Sequence, residues 1–354
     1  MDGMQRAPFE INGVKVEAGK RATVDLAVAQ LYTHTPLNIP VQIVHGRQDG
    51  PVLLVCAAIH GDELNGVEII RRLLKLKVMS QLKGTLVAVP IVNVFGFIQR
   101  SRYLPDRRDL NRCFPGVKKG SLGARIANLF CESVVRKCTH VIDLHTGAVH
   151  RSNLPQIWGA MNSSGSNEMA RAFGTPVVLD ATLPDGSLRS FAESINIPVI
   201  TYEAGEALRF NELSIYAGIR GIINVMRMLG MLRSHKSKKK SNRSPVIANQ
   251  SQWVRAETDG VFRPLVELGA SVKKHQPLAT ISAPFGDAEL TVRAPASGIV
   301  IARTNIPLVN EGEALFHVAF YEKVSEIARH VEVFQSELFD DELIFADDME
   351  EESY

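Results

Sequence analysis

From Pro51 onward, short apolar runs alternate with stretches in which apolar residues recur every three or four positions. The runs are the mark of strands buried on both faces and the stretches that of amphipathic helices, so the pattern predicts an α/β domain with one sheet covered by helices on both sides. Strands are predicted at Val52–Ile59, Thr85–Pro90, Thr139–His145, Gln156–Ala160, Pro176–Leu179 and Pro198–Tyr202. Helices are predicted at Glu63–Val78, where Val67, Ile70, Leu74 and Val78 share a face, and at Ala124–Cys138, Ser187–Asn196 and Asn211–Leu232. Residues 1–232 are read as this domain, with an N-terminal arm over about 1–48.

The pattern then changes. Arg233 to Arg243 is basic and polar with no apolar period, and Pro245 follows it, so residues 233–246 read as a solvated linker. From 247 to 320 short strands are separated by Gly and Pro, as in an all-β domain. There Ala256 to Val261 is echoed by Ala294 to Ile299 at an offset of 38 residues, and Val272 with Leu278 by Val309 with Leu315. This two-fold texture resembles the flattened barrel of biotinyl and lipoyl carrier domains, although no lysine lies between Lys274 and Lys323 to carry a group. The resemblance concerns fold and not carrier function. The tail, 321–354, has an amphipathic stretch and an acidic end, read as a frayed terminus or a partner segment.

Composition narrows the function classes. The 354 residues are 45% hydrophobic and 22% charged, a globular balance, and the net charge of +2 supplies no field for nucleic acid or an anionic membrane. Four scattered cysteines form no disulfide scaffold and no C-x-x-C pair, so reduced thiols are expected. Met1 to Lys20 holds no signal-length apolar run and no span of eighteen apolar residues occurs, so the chain reads as cytoplasmic.

Chemistry gathers at the ends of the predicted strands, the edge where open α/β sheets bind ligands. Val52–Ile59 runs into His60-Gly61-Asp62-Glu63, a His and a Glu that a turn and a first helical turn bring to one point. Two His and one Glu are a known set for hydrolytic zinc, and His145 at the end of another strand supplies the third member. Asn111 and Arg112, in Asp109-Leu110-Asn111-Arg112, offer a donor and a planar fork for a carboxylate. Glu203 closes an apolar strand, where a carboxylate is costly without a task, and suits a general base; Glu206 competes from beyond Gly205 and reads as structural or solvent-facing. Asp143 fits a partner for His145 or His60, or a turn.

Together these segments resemble the succinylglutamate desuccinylase and aspartoacylase family, a branch of the zinc carboxypeptidase fold. The shared pattern is His60-Gly61-x-Glu63, Asp109 to Arg112, Asp143-x-His145-x-Gly147 and the strand-end Glu203. The resemblance implies a zinc-carboxypeptidase-like mixed sheet and a smaller β domain that partly covers the site. It implies one zinc ion per chain on His60, Glu63 and His145, Glu203 as general base, and Asn111 with Arg112 as a carboxylate clamp. Arg102 stands for the arginine that polarises the scissile carbonyl, with Arg107 and Arg108 as competitors. The implied activity is hydrolysis of the amide bond of an N-acyl amino acid or a related small carboxylate-bearing substrate. The alternatives are a carboxypeptidase or deglutamylase acting on peptide C-termini, and a non-enzymatic binding module. Oligomeric state is left open, with a homo-oligomer the default.

Overall fold

The computed structural model describes residues 6–181, 184–234, 246–248, 250–286, 289–321, 327–334 and 336. Its centre is a large mixed sheet. The strands Lys83–Val89, Gln48–Ala57, His140–Gly147 and Val199–Glu206 lie side by side and parallel, and Arg151–Gly159 runs antiparallel beside the last.

Alternation along these strands sorts the side chains by face. Leu53, Val55, Ile142, Leu144, Ile200 and Tyr202 pack under the helices Asn65–Lys75, Ser164–Phe173 and Glu212–Met228. Leu54, Cys56, Val141 and Val199 face the helices Leu122–Ser133 and Leu188–Ser194. Helices thus cover both faces, as the apolar runs predict. Asp143, His145, Thr201 and Glu203 continue the second face toward the carboxyl ends, so one row of alternate positions passes from core to chemistry.

Several boundaries differ from the sequence reading. The stretch before Gln48 is more than an arm: Lys20–Gln30 and Pro36–His45 form an antiparallel pair that joins the sheet beside Lys83–Val89. The predicted helix Ala124–Cys138 covers Leu122–Ser133 and then breaks at Val134 into a short 3-10 turn, Val135–Lys137. The two adjacent β-branched valines disfavour continuation, and Cys138 leaves the helix. All four cysteines are free, and Cys56, Cys131 and Cys138 are buried.

The strand Arg151–Gly159 forks the sheet. Residues 156–159 pair with Val177–Asp180, whereas residues 151–153 pair with Gly298–Thr304 of the β domain. Within that domain two halves pair crosswise. Ser251–Arg255 pairs with Ala314–Phe320 while Pro277–Ser282 pairs with Glu289–Arg293; Ser271–Val272 joins Gly298–Thr304 while Leu308–Val309 joins Gly260–Pro264. The sequence echo is therefore a structural one. Positions 235–245 of the basic segment and the acidic end from 337 lie outside the described residues. Of the tail's amphipathic stretch, Ile327 and Val331 are buried against Leu154, Ile299 and Ile301, and Phe334 joins the core with the Arg220 guanidinium over its ring.

Where the β domain meets the sheet, His317 is buried, with its Nε2 2.9 Å from Ser251 Oγ. Burial, with the nearby Arg151 charge adding to it, pushes the ring down to about 4. Between that value and the ordinary 6.5 the unfolded chain binds a proton that the folded chain does not, so stability is full above pH 6.5 and falls as pH drops toward 4. Urea unfolding of the wild type and of His317→Phe across this range should show a steeper acid loss in the wild type. Parallel pH profiles would contradict a buried neutral ring.

Candidate metal and catalytic site

After Ala57 the chain turns sharply at the carboxyl edge of the sheet. The Glu63 N–H donates to His60 O at 3.1 Å, which closes the turn and carries both side chains to one side. Gly61 is required there because a Cβ would sit 2.0 Å from the carbonyl carbon of Gly96, in the helix Val94–Gln99. The helix predicted to begin at Glu63 begins at Asn65. Asn65 donates from Nδ2 to Ala204 O at 3.1 Å and accepts from Asn211 N at 3.0 Å, pinning that start to the loop after the Glu203 strand. Glu63 therefore comes from the turn, one step before the helix.

His60, Glu63 and His145 converge, with one ligand atom from each within 4.8 Å of the others. His60 Nδ1 lies 2.7 Å from Glu63 Oε1, and His145 Nδ1 lies 2.9 Å from Glu63 Oε2. The far nitrogens are held as well: His60 Nε2 lies 3.1 Å from Asp109 Oδ1, and His145 Nε2 lies 2.8 Å from Asp143 Oδ2. All three side chains are almost fully buried. Two imidazoles and a carboxylate, each imidazole braced by a further carboxylate, fit a zinc ion by donor type and by arrangement. Asp143 thus serves His145, and Asp109, a member of the Asp109–Arg112 segment with no role assigned from sequence, serves His60.

Burial alone would raise the Glu63 carboxyl, but the charges and hydrogen bonds of His60 and His145 outweigh it and hold the group below the carboxylate range. Burial likewise works against charge on both imidazoles, yet Glu63 with Asp109 raises His60, and Asp143 with Glu63 raises His145 well above the ordinary value. The set is electrostatically matched to positive charge at its centre.

A cavity of about 120 Å³ opens beside the cluster, lined among others by Arg102, Asn111, Arg112, Trp158, Arg189 and Glu203. Arg102 donates from Nη1 to Glu63 Oε1 at 3.2 Å and from Nη2 to Asp109 Oδ2 at 3.0 Å. Arg107 and Arg108 are exposed, and Arg108 pairs with Asp106 at 3.4 Å, so of the three arginines Arg102 is the one beside the cluster. Asn111 accepts at Oδ1 from the Leu188 N–H at 2.9 Å, which fixes its amide at the start of the helix Leu188–Ser194. Arg112 is exposed at the mouth and donates to Asn111 O at 2.7 Å.

Glu203 faces His145 across neighbouring strands and accepts from Asn153 Nδ2 at 3.0 Å. Burial, with the Glu63 charge adding to it, pushes its carboxyl up to about 7 against the pull of His145, His60 and Arg102. A carboxyl poised near neutrality is suited to taking and returning a proton. Glu206 is elsewhere, accepting from His150 N at 3.1 Å and from Asn305 Nδ2 at 2.9 Å, where it ties the sheet to the β domain.

Residues 49–229 match the model of the succinylglutamate desuccinylase/aspartoacylase catalytic domain. The chain belongs to this family. Among curated proteins it is 27% identical over 295 residues to N-alpha-acetyl-L-2,4-diaminobutyric acid deacetylase of Halomonas elongata, covering 79% of this chain and 85% of that one. Among solved structures, the product-bound ectoine utilization protein EutE (DoeB) of Ruegeria pomeroyi superposes with a TM-score of 0.78 at 23% identity, over 90% of this chain and 100% of that one. A succinylglutamate desuccinylase/aspartoacylase of Rhodobacter sphaeroides gives 0.76 at 22%, over 90% and 99%. Family membership accounts for the order of the motifs along the chain, and the geometry accounts for why each is needed.

The sequence reading missed Arg189, Asn153, Trp158 and Thr201, all of which line the cavity or hold Glu203. Arg189 carries no periodic signal; it is buried beside the carboxylates of Glu203, Asp143 and Glu193, and burial lowers its guanidinium. Thr201 could have been found from strand alternation, since it falls two residues before Glu203 on the same face, whereas Asn153 reaches Glu203 only through a register shift between the two strands that no sequence period encodes.

Two expectations follow from this geometry. Gly61→Ala should lower stability by about 2–3 kcal/mol in chemical denaturation, because the backbone at Gly96 must move; an unchanged midpoint would contradict the close approach. Asp109→Asn and Asp143→Asn should each weaken zinc affinity by about 10- to 100-fold in competition with a chromophoric chelator, while leaving one ion per chain at saturation. Affinities equal to wild type would show that the two carboxylates do not orient the imidazoles.

Proposed function

We propose that this chain is a zinc-dependent amidohydrolase that removes the acyl group from an N-acyl amino acid or a related small substrate bearing a carboxylate. The observation that carries the reading is the opening of the His60–Glu63–His145 cluster, Arg102, Glu203 and the Asn111–Arg112 pair onto one small cavity. The deacetylase of Halomonas elongata, similar over most of both chains, supports deacylation of a small N-acyl amino acid.

On this reading His60, Glu63 and His145 hold one zinc ion, which supplies Lewis acidity and makes water reactive near neutral pH. Glu203 takes the proton of the attacking water at its carboxylate and returns it to the leaving nitrogen. Arg102 donates to the amide oxygen as that atom gains charge. Asn111 and Arg112 hold a carboxylate of the amine half, Arg112 through its planar fork and Asn111 through its amide N–H groups. Asn153 keeps Glu203 in place. A cavity of about 120 Å³ favours a compact substrate over a folded polypeptide end.

The β domain, with its crosswise halves, fits a biotinyl or lipoyl-like barrel in which the carrier lysine is missing, as expected of a cover rather than a carrier. Domain limits at 1–232, 233–246, 247–320 and 321–354 go with that reading, as does a location in the cytoplasm. No helix among the described residues is long and apolar enough to cross a membrane.

Amine release from a panel of N-acetyl and N-succinyl amino acids and C-terminal glutamyl peptides, with zinc-loaded protein, tests the reading. Turnover of at least one acylated amino acid is expected. Glu203→Gln should lower kcat by about 1,000-fold, and Arg112→Ala should raise KM by about 10-fold or more with kcat little changed. Turnover of peptides alone would replace this reading with the carboxypeptidase one, and Glu203→Gln turnover at the wild-type rate would remove Glu203 from its role.

A further inference from the structure

Aromatic rings and one guanidinium form a continuous stack from the candidate site into the β domain. Trp158 lines the cavity with His60, His145, Thr201 and Glu203. Its ring lies edge-on to His317, with centroids 6.2 Å apart and planes at 64°. His317 in turn stacks on Trp253 at 4.5 Å and 14°, and the Arg151 guanidinium lies 4.5 Å from the Trp253 centroid.

Strand register builds this stack. Trp253 pairs with His317 across two strands of the β domain. Trp158 pairs with Thr201, which precedes Glu203 by two residues and so shares its face of the sheet. Behind the site, Trp158 packs on the cluster that contains Leu154, Ile299 and Ile301, two of them from the β domain. Gln156, on the same face as Trp158, donates to Ile301 O at 3.4 Å. The Trp158 indole N–H is buried and has no hydrogen-bond partner among the described residues, a condition that a group placed only for packing seldom shows.

We propose that Trp158 is the wall that limits the size of the substrate group admitted to the end of the cavity beyond Glu203, and that His317 of the β domain is the positioning residue that fixes this wall. The substrate half of this inference rests on the deacylase reading; the mounting of Trp158 does not. Trp158 thus lines the reaction space while its ring touches His317 from outside the catalytic domain. The β domain thereby shapes the cavity through a side chain it does not itself supply. A tryptophan of purely structural value would affect folding without changing which substrate is preferred.

Trp158 and Trp253 are the chain's two tryptophans, so Trp253→Phe leaves Trp158 as the sole tryptophan, read selectively by excitation at the red edge of its absorption. In that background His317→Ala should shift Trp158 emission and raise its acrylamide quenching about twofold or more, whereas His317→Phe, which keeps a ring, should not. Identical emission and quenching in all three proteins would overturn the mounting, and this arm requires no substrate.

In otherwise wild-type, zinc-loaded protein, kcat/KM is then measured in two series, N-acetyl amino acids of rising side-chain size and one amino acid with rising acyl size. Trp158→Leu should move the ratio of bulky to small members by about tenfold or more in one series, His317→Ala should move it in the same direction, and His317→Phe should stay within about twofold. A uniform loss across both series, with wild-type preference kept, would overturn the wall. A wild-type enzyme that turns over no member would count against the deacylase reading alone, since the fluorescence arm judges Trp158 separately.

Discussion

A carboxylate buried between two imidazoles is the constraint on which the rest of the site depends. Glu63 is 2% exposed, and a charge so placed is costly unless it is neutralised and hydrogen-bonded on every side. Four groups meet it: the two imidazole Nδ1 atoms, the Thr146 N–H at 3.0 Å and the Arg102 guanidinium. Each imidazole then has its other nitrogen on a further carboxylate, Asp109 for His60 and Asp143 for His145. Nothing in this chain of contacts tolerates a displaced turn, which is why Gly61 must lie flat against Gly96 and why Asn65 is tied to the loop after Glu203.

The sheet supplies the frame. Because side chains alternate along a strand, the apolar positions that anchor Val141 and Val199 in the core also place His145 and Glu203 on one face, at the open end of two parallel neighbours. The same register reaches Trp158 on the next strand and, past the fork at Asn153, the β domain. The candidate site and the β domain are therefore joined through strands that pair directly. That pairing distinguishes the β domain from a tethered accessory.

How much of this was legible in the sequence depends on how local the cause is. The parallel strands were readable because burial on both faces leaves long apolar runs. The site residues were readable because they stand where those runs stop. His60 with Glu63, His145 and Glu203 were found that way. The strands Lys20–Gln30 and Pro36–His45 were missed although Val24 and Leu26, and Leu37, Ile39, Val41 and Ile43, alternate in and out; half-buried strands carry polar residues that mask the period. The helix starts at Asn65 rather than Glu63 because of bonds to residues far along the chain, and no local signal encodes these. Arg189 and Trp158 belong to the same class: their roles come from tertiary neighbours. Between Arg102, Arg107 and Arg108, only the fold decides which one meets Glu63.

The proposed zinc site on His60, Glu63 and His145 is read most directly at the metal itself. Zinc K-edge X-ray absorption on the full chain loaded with one equivalent reads that shell directly. Nitrogen and oxygen scatterers at about 2.0–2.1 Å with the multiple-scattering signature of two imidazoles are expected, reduced to one imidazole in His145→Ala. A shell with sulfur, or one without imidazole scattering, would contradict it.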